Sequence, residues 1–157
     1  MEQYYSNVIE GKTKNLEVIK KMEEEESSYQ VPIEQKNQNS SRKIWVRNRK
    51  TRDKALKNAN YQCEIDNTHK TFLINNKYYM EGHHLIPMEY QAMFEKQSLD
   101  IEENIISLCP TCHRKIHYAS VNEKISMIKN IFSIKRINLI QKVDIDLELL
   151  ESLYYNI

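Results

Sequence analysis

Residues 109–117 of the chain read Cys109-Pro110-Thr111-Cys112-His113-Arg114-Lys115-Ile116-His117. A helix is predicted to begin at the proline, because proline lacks the N–H that a first helical residue leaves unsatisfied and its φ is already helical. The two cysteines then lie at the mouth of this helix. The two histidines are four residues apart, a spacing that puts them on one helix face with Cβ atoms about 5–6 Å apart. This short stretch therefore offers parts of two different metal sites.

The first of these sites is rich in sulfur. Cys109 and Cys112 have the spacing of a zinc-binding thiolate pair, and Cys63 is the third cysteine of the chain. Three cysteines cannot all pair with one another, and in a reducing compartment this pattern favours metal binding over a disulfide. The fourth ligand is either His69 or Asp66. Imidazole suits a soft, sulfur-rich zinc site better, so we expect a structural Zn²⁺ with His69 as the fourth ligand.

The second site needs a further imidazole, which the adjacent His83 and His84 supply. Adjacent side chains on an extended strand point to opposite faces, so the two histidines are predicted to have different roles. His83 is expected to join His113 and His117 around one divalent ion, with positions left open for water and phosphate oxygens. His84 is then expected to face the substrate as a free imidazole that accepts a proton from water at neutral pH.

Charge is strongly segregated along the chain, although the net charge is only +1. Residues 1–35 contain four Lys and eight Glu, residues 36–57 contain nine Lys or Arg against Asp53, and residues 58–157 contain ten basic and thirteen acidic residues. A basic block of this kind beside a folded site is expected of a protein that binds a phosphate backbone. The alternative interpretation is the solvated face of an amphipathic helix. The residues predicted to bind nucleic acid are Arg47, Arg49, Lys50, Arg52, Arg114 and Lys115.

Hydrophobic patterning divides the chain into four segments. Residues 1–41 are predicted to be an acidic helical segment with a linker, residues 42–60 a basic helix, residues 61–118 a compact core and residues 119–157 a C-terminal helical segment. Within the core, β-rich runs at 71–74 and 77–80 joined by Asn75 and Asn76 predict a hairpin, and residues 104–108 predict a strand.

Helices are also expected outside the metal-binding stretch. Residues 88–97 are predicted to form a short helix, residues 122–136 a longer one, and a last helix through Tyr154 is capped by Asp144 or Asp146. No stretch approaches the roughly 18 apolar residues that cross a bilayer, and the N-terminus lacks the pattern of a signal peptide. We therefore expect a cytoplasmic protein without a membrane partner.

Two stretches together carry a resemblance to a known family. They are Glu81-Gly82-His83-His84-Leu85-Ile86-Pro87 and Asn104-Ile105-Ile106-Ser107-Leu108-Cys109-Pro110-Thr111-Cys112-His113-Arg114-Lys115-Ile116-His117. Residues 61–117 thereby resemble the HNH endonucleases of the ββα-metal superfamily. The resemblance implies an α+β fold, in which a ββα-metal core with a structural zinc knuckle is flanked by additional α-helices.

The resemblance also implies roles for single residues. His84 matches the general base, and Asn104 matches the residue that ties the two strands together and orients that base. His83, His113 and His117 match positions of metal ligands. Cys63, Cys109 and Cys112 match the zinc knuckle of one branch of the family. The sequence departs from that branch at Asp66, which stands where the branch has a second cysteine after the first.

The activity implied by the resemblance is metal-dependent hydrolysis of DNA phosphodiester bonds, with Mg²⁺ or Mn²⁺ as the catalytic ion. Double-stranded DNA is the expected partner, and restriction or phage defence is the favoured role. The terminal helices are predicted to form a homodimer or to contact a partner protein. The alternative function is a zinc-stabilised nucleic-acid-binding module that does not cut.

Overall fold

The computed structural model describes residues 34–36, 43–135 and 137–155. The predicted N-terminal helix lies outside the described residues, as does most of the predicted linker. Within the part of the chain that is described, no helix combines the length and the apolar character needed to cross a membrane.

The basic segment contains a strand as well as a helix. Strand β1 (Glu34–Lys36) pairs antiparallel with β2 (Lys43–Trp45), and helix α1 (Arg49–Asn58) begins four residues after β2 ends. Asn48 keeps an extended backbone, and its side-chain oxygen accepts a hydrogen bond of 2.9 Å from the Lys50 N–H, which caps the helix. The helix predicted over residues 42–60 therefore occupies only the later part of that range.

The predicted hairpin is present. Strand β3 (Leu73–Ile74) pairs antiparallel with β4 (Lys77–Tyr78). Asn75 and Asn76 have φ of 50° and 62°, a backbone conformation that asparagine adopts more readily than most residues and that suits a two-residue turn. The prediction of a hairpin at this position is confirmed.

A ββα unit positions the histidines and two of the cysteines. It consists of β5 (Glu81–His84), β6 (Ile105–Leu108) and α2 (Pro110–Tyr118). The two strands are antiparallel, with His84 opposite Ile105. Cys109 is the N-cap of α2 and Pro110 is its first residue, as predicted. Because β6 leads directly into α2, the strand that carries His83 and His84 lies against the helix that carries the other metal-site residues.

The chain between and after these elements is helical. Two 3₁₀ helices, Met88–Met93 and Glu102–Asn104, lie between β5 and β6, and α3 (Val121–Lys135), α4 (Ile137–Val143) and α5 (Leu147–Tyr155) follow α2. The helix expected at 88–97 ends early because the Gln91 side chain bonds backbone groups of Phe94, Gln97 and Leu99 and turns the chain. Asp146 caps α5 by accepting a bond of 2.7 Å from the Leu149 N–H, whereas α4 was not predicted.

One hydrophobic core joins the ββα unit to the C-terminal helices. Its deeply buried members include Leu85, Ile86, Leu99, Ile106, Leu108, Ile116, Ile128, Ile131, Leu139, Ile145, Leu150 and Tyr154. The loop after β5, strand β6, helix α2 and helices α3 to α5 all contribute to it. The predicted α+β fold, a ββα core flanked by further helices, is confirmed.

Candidate active site and zinc site

A cluster of three cysteines and one histidine lies at the start of α2. Cys63, His69, Cys109 and Cys112 each bring one ligand atom within 4.8 Å of the others. Nδ1 of His69 is 3.4 Å from the Sγ of Cys112 and 3.8 Å from the Sγ of Cys109. Ligand atoms about 2.1–2.3 Å from one Zn²⁺ at tetrahedral angles lie roughly 3.4–3.8 Å apart. The cluster is therefore compatible with a zinc site.

Asp66, the alternative fourth ligand, lies on the outer side of the His69 ring. Its Oδ1 accepts hydrogen bonds of 2.8 and 2.7 Å from the N–H and hydroxyl of Thr68, and these bonds hold the pKa of Asp66 below its usual value. Its Oδ2 lies 3.7 Å from the His69 Nε2. Since Nδ1 is the nitrogen nearer the sulfurs, the carboxylate is positioned to orient the ring.

The thiols of this cluster differ in their acidity. Burial favours the neutral form of Cys63, but hydrogen bonds from the backbone of Cys109, Asp66 and Ile65 and from His69 lower its pKa to about 7. Burial and the neighbouring thiols raise the pKa of Cys112. Several thiolates ionise together at this distance only when a cation neutralises them, which is the chemistry of a metal site.

A second cluster consists of three imidazoles from β5 and α2. His83, His113 and His117 bring one ring nitrogen each within 4.8 Å of the others. The Nε2 atoms of His113 and His117 are 3.2 Å apart, a separation that suits two nitrogens about 2.1 Å from a shared ion. Burial, followed by the charges of His117 and His113, holds the pKa of His83 well below its usual range. Both effects favour the neutral form of the ring, which is the form that binds a metal ion.

Two further residues hold the rings of this cluster in place. Oε2 of Glu81 accepts a hydrogen bond from Nδ1 of His113, which leaves the Nε2 of that ring facing His117. The hydroxyl of Tyr154 donates to the Leu85 carbonyl at 2.7 Å and lies 3.3 Å from Nε2 of His83. Because that hydroxyl proton is engaged, the His83 Nε2–H donates to the Tyr154 oxygen and Nδ1 is left for a ligand.

His84 lines the same cavity as the three imidazoles, but one of its nitrogens is engaged. The cavity has a volume of about 360 Å³ and is lined by all four histidines. Nε2 of His84 lies 2.8 Å from Oδ1 of Asp100, whose side chain is only 5% exposed. Asp100 also accepts a hydrogen bond from the backbone N–H of Asn48. The expectation of a wholly free imidazole is thus corrected, since Nδ1 alone remains for other partners.

Asn104 is fully buried and joins the end of β5 to the start of β6. Its Nδ2 donates to the carbonyls of Ile86 and Leu99 at 3.0 and 2.7 Å, and its Oδ1 accepts from the Ile86 N–H at 2.7 Å. Its backbone carbonyl accepts from the Leu85 N–H at 2.7 Å. These bonds fix the backbone directly after His84.

The basic residues before and within α1 lie around this region. Arg47 lines the histidine cavity. Arg49 and Lys50 are exposed in the first turn of α1. Arg52 lines a neighbouring cavity, and its guanidinium is 2.7 Å from the carboxylate of Asp53.

The basic residues on α2 have different surroundings. Arg114 is exposed, whereas the Lys115 ammonium is 3.0 Å from the Glu123 carboxylate on α3. Lys115 would have to leave this carboxylate to contact a phosphate.

Sequence reasoning missed the three residues that orient the histidines. Glu81, Asp100 and Tyr154 are separated from their histidine partners by 32, 16 and 71 residues. The repeat of a helix or a strand relates residues only a few positions apart, so it cannot predict contacts over such separations. The only local signal was that Glu81 and Asp100 are acidic residues close in sequence to His83 and Asn104.

Comparison with known proteins agrees with this geometry. The HNH endonuclease family model matches residues 62–119. The type IV methyl-directed restriction enzyme EcoKMcrA of Escherichia coli (strain K12) is 31% identical over 88 residues, which are 55% of this chain and 30% of that enzyme. The chain therefore corresponds to less than a third of that relative. With two paired strands, a helix and converging histidines in the same residues, the predicted family is confirmed: this chain carries an HNH endonuclease domain at residues 62–119.

Proposed function

We propose that this protein is an endonuclease that hydrolyses phosphodiester bonds in DNA with the aid of one divalent ion. One observation carries the proposal: three imidazoles converge in a cavity that a fourth, carboxylate-bound imidazole also lines. Converging imidazoles suit a metal ion, and a separate imidazole with one free nitrogen suits a base. A protein that only binds nucleic acid has no need of both.

The residues that would hold the catalytic ion are His83, His113 and His117. When bound, a divalent ion supplies a Lewis acid that stabilises charge developing on the phosphate and leaving oxygens. Imidazole nitrogens suit transition metals, whereas Mg²⁺ prefers oxygen ligands and keeps several waters. Of the two ions expected from the sequence, we therefore propose that Mn²⁺ binds more tightly than Mg²⁺. A structural Zn²⁺ would be held by Cys63, His69, Cys109 and Cys112.

His84 is proposed to act as the general base. Its Nε2–H donates to Asp100, so the lone pair of Nδ1 is free to accept a proton from the attacking water. The buried carboxylate stabilises the imidazolium that forms when the proton is taken up. The water oxygen bonds to phosphorus as its proton passes to His84, and the bond to the 3′ oxygen breaks. The leaving oxygen takes a proton from solvent, which gives a 5′ phosphate and a 3′ hydroxyl.

Asp100 also connects the base to the basic segment. The carboxylate that bonds His84 accepts the backbone N–H of Asn48, the residue that caps α1. Arg47 precedes this residue and lines the histidine cavity, where its guanidinium is proposed to bind a phosphate of the strand being cut. One buried side chain thereby positions both the base and the start of the DNA-binding surface.

Asp100→Asn is expected to lower kcat by roughly 10²- to 10⁴-fold while KM changes little, because the amide neither stabilises the imidazolium nor fixes the tautomer of His84. The tautomer is followed by the ¹⁵N chemical shifts of the His84 ring, which should change from a single Nε2–H form to a mixture. Glu102→Gln is the matched control, since Glu102 lies in the same segment and bonds Asn58. Equal kcat and unchanged ring shifts in Asp100→Asn would remove Asp100 from the mechanism.

Arg49→Ala combined with Lys50→Ala is expected to weaken DNA binding and to reduce the slope of log K against log salt by about 0.9 for each phosphate that the variant no longer binds. Binding is measured on a His84→Ala background, so that the DNA stays intact. Lys129→Ala is the control, because Lys129 is an exposed cation on α3 that pairs with Glu151. A slope unchanged from that of the control would make the first turn of α1 a scaffold and not a DNA contact.

We further propose a role in restriction. The support is the similarity to a methyl-directed restriction enzyme, although the match covers only 30% of that protein. The test is cleavage of supercoiled, linear, methylated and single-stranded DNA, and of RNA, with Mg²⁺, Mn²⁺ or no divalent ion. Cutting of DNA that stops without metal is expected, and nicked circles should precede linear products because one centre cuts one strand. Linear products from the outset would support the predicted homodimer. Cutting confined to RNA would overturn the proposed substrate.

A further inference from the structure

A second and larger cavity opens directly beside the histidine cavity. Its volume is about 630 Å³, and it shares Gly82 and His113 with the histidine cavity. The two cavities therefore adjoin at these shared residues. The second cavity is close enough to the histidines to receive the nucleotide next to a phosphate that lies there.

Gly82 lies at the boundary between the two cavities, and its lack of a side chain leaves room there for a neighbouring residue. A Cβ at this position would lie 2.7 Å from Cγ of Arg52 and 3.2 Å from Cγ2 of Ile105. The absence of a side chain therefore lets the Arg52 stem cross β5 at the point where the cavities meet. Its guanidinium bonds the carboxylate of Asp53, which lines the second cavity as well, and would have to leave this carboxylate to contact a phosphate.

The lining of the second cavity combines apolar, aromatic and basic groups with two acidic ones, Asp53 and Glu81. Leu56 and Met80 are buried core residues that contribute apolar surface, and Lys77 adds a cation. Tyr61, Tyr78 and Tyr79 contribute three partly buried rings. Flat aromatic rings with nearby cations are the groups on which proteins stack nucleobases without reading their sequence.

Each of the three tyrosine rings is held by another group of the protein. The Lys77 ammonium lies 4.4 Å from the centroid of Tyr61, and the Lys70 ammonium lies 4.9 Å from that of Tyr78. Tyr79 stacks on Phe72 with centroids 4.9 Å apart and planes within 11°. Rings that are already fixed lose little entropy when a further ring stacks on them. The cavity is thus preorganised for a planar ligand.

A hydrogen-bond chain links this cavity to the histidines. The Tyr79 hydroxyl donates to Oε1 of Glu81 at 3.1 Å, and the other oxygen of Glu81 accepts from His113. Burial opposes ionisation of Glu81, but these two bonds hold its pKa below the usual value. A ligand seated against Tyr79 therefore contacts a residue that is hydrogen-bonded to Glu81, the group that orients a proposed metal ligand.

We propose that this tyrosine-lined cavity binds the nucleobase adjacent to the scissile phosphate, unstacked from the strand that is cut. The inference rests on the proposed nuclease function. The proposed cavity would bind one base of the substrate by stacking. Stacking tolerates any base sequence but requires that a base is present.

The test compares hydrolysis of two kinds of small substrate by the full chain with Mn²⁺. Bis(p-nitrophenyl) phosphate has no nucleobase, whereas the p-nitrophenyl esters of thymidine 5′-phosphate and thymidine 3′-phosphate carry one on either side of the phosphorus. At least one thymidine ester should have the higher kcat/KM. Tyr61→Ala should lower the ratio of that kcat/KM to the value for bis(p-nitrophenyl) phosphate by about tenfold, the size of one stacking contact. Tyr61→Phe should retain the ratio, as should the control Tyr155→Ala, a substitution at an exposed position of α5.

A binding measurement keeps the test decisive if neither small ester is hydrolysed. An oligonucleotide containing 2-aminopurine is titrated with His84→Ala protein, and stacking should quench its fluorescence. A second substitution in this protein, either Tyr61→Ala or Tyr78→Ala, should reduce the quenching. Equal ratios and equal quenching in all variants would overturn the nucleobase site while nuclease activity stands. Absence of cleavage of any DNA with any metal would overturn the nuclease function itself.

Discussion

Replacing His84 with alanine should abolish the nicking of supercoiled DNA, with kcat reduced by about 10²- to 10⁴-fold, the usual contribution of a general base. His84 is the imidazole in the cavity whose Nε2 is bound to a carboxylate, and its other nitrogen is the proposed proton acceptor. DNA affinity should persist in the variant because Arg47 and α1 are untouched. Gel assays of plasmid nicking with Mn²⁺ or Mg²⁺ give the rate, and circular dichroism gives the fold.

Comparing His117→Ala with His84→Ala distinguishes the loss of a metal ligand from the loss of the general base. This variant removes one of three converging imidazoles, so its activity should fall at low metal and recover in part as the metal concentration rises. His84→Ala should gain nothing from added metal. Equal activity of wild type and His84→Ala would show that another group accepts the proton. Two equally inert proteins, at every metal concentration, would favour the non-cutting zinc-stabilised binding module.

Removing zinc should unfold the domain. Cys63 follows α1, His69 precedes the hairpin, and Cys109 and Cys112 lie at the mouth of α2, so one ion would tie three parts of the chain together. Structural zinc contributes about 10–16 kcal/mol of apparent binding free energy in zinc-finger peptides, which is comparable with the whole stability of a small domain, about 5–15 kcal/mol. Circular dichroism and thermal melting with a strong chelator should show loss of structure, and Zn²⁺ but not Mn²⁺ should restore it.

Single substitutions identify the fourth zinc ligand. Zinc content and melting temperature should both fall in His69→Ala, whereas Asp66→Asn should keep one zinc per chain with a smaller loss of affinity, about 10- to 100-fold, as expected for a residue that only orients a ligand. If the protein stays folded after complete zinc removal, this cluster is not needed for the stability of the domain. Zinc absent from Asp66→Asn but retained in His69→Ala would reverse the ligand assignment.

The sequence predicted those parts of the site that depend on neighbours along the chain. Pro110 predicted the start of α2, Asn75 and Asn76 predicted the turn of the hairpin, and the spacing of His113 and His117 predicted a shared face. Each of these follows from local backbone geometry, which a few adjacent residues decide.

The parts that were missed depend on contacts between distant segments. The strand at Lys43–Trp45 forms because Glu34–Lys36 lies beside it. The hydrophobic pattern within residues 42–60 contains no information about that partner strand. The carboxylate at Asp100 meets His84 only because the chain between β5 and β6 folds back on itself after the first 3₁₀ helix. Asn48 is the local exception, because an asparagine directly before a basic run is a helix-capping signal and α1 begins at the next residue.

Cys112 and His113 are consecutive residues of α2, so ligands of both proposed metal centres share one turn of one helix. Loss of Zn²⁺, or oxidation of the thiols that would hold it, is therefore expected to disturb the turn that carries His113 and to abolish the proposed activity without any chemical change at His83, His113 or His117.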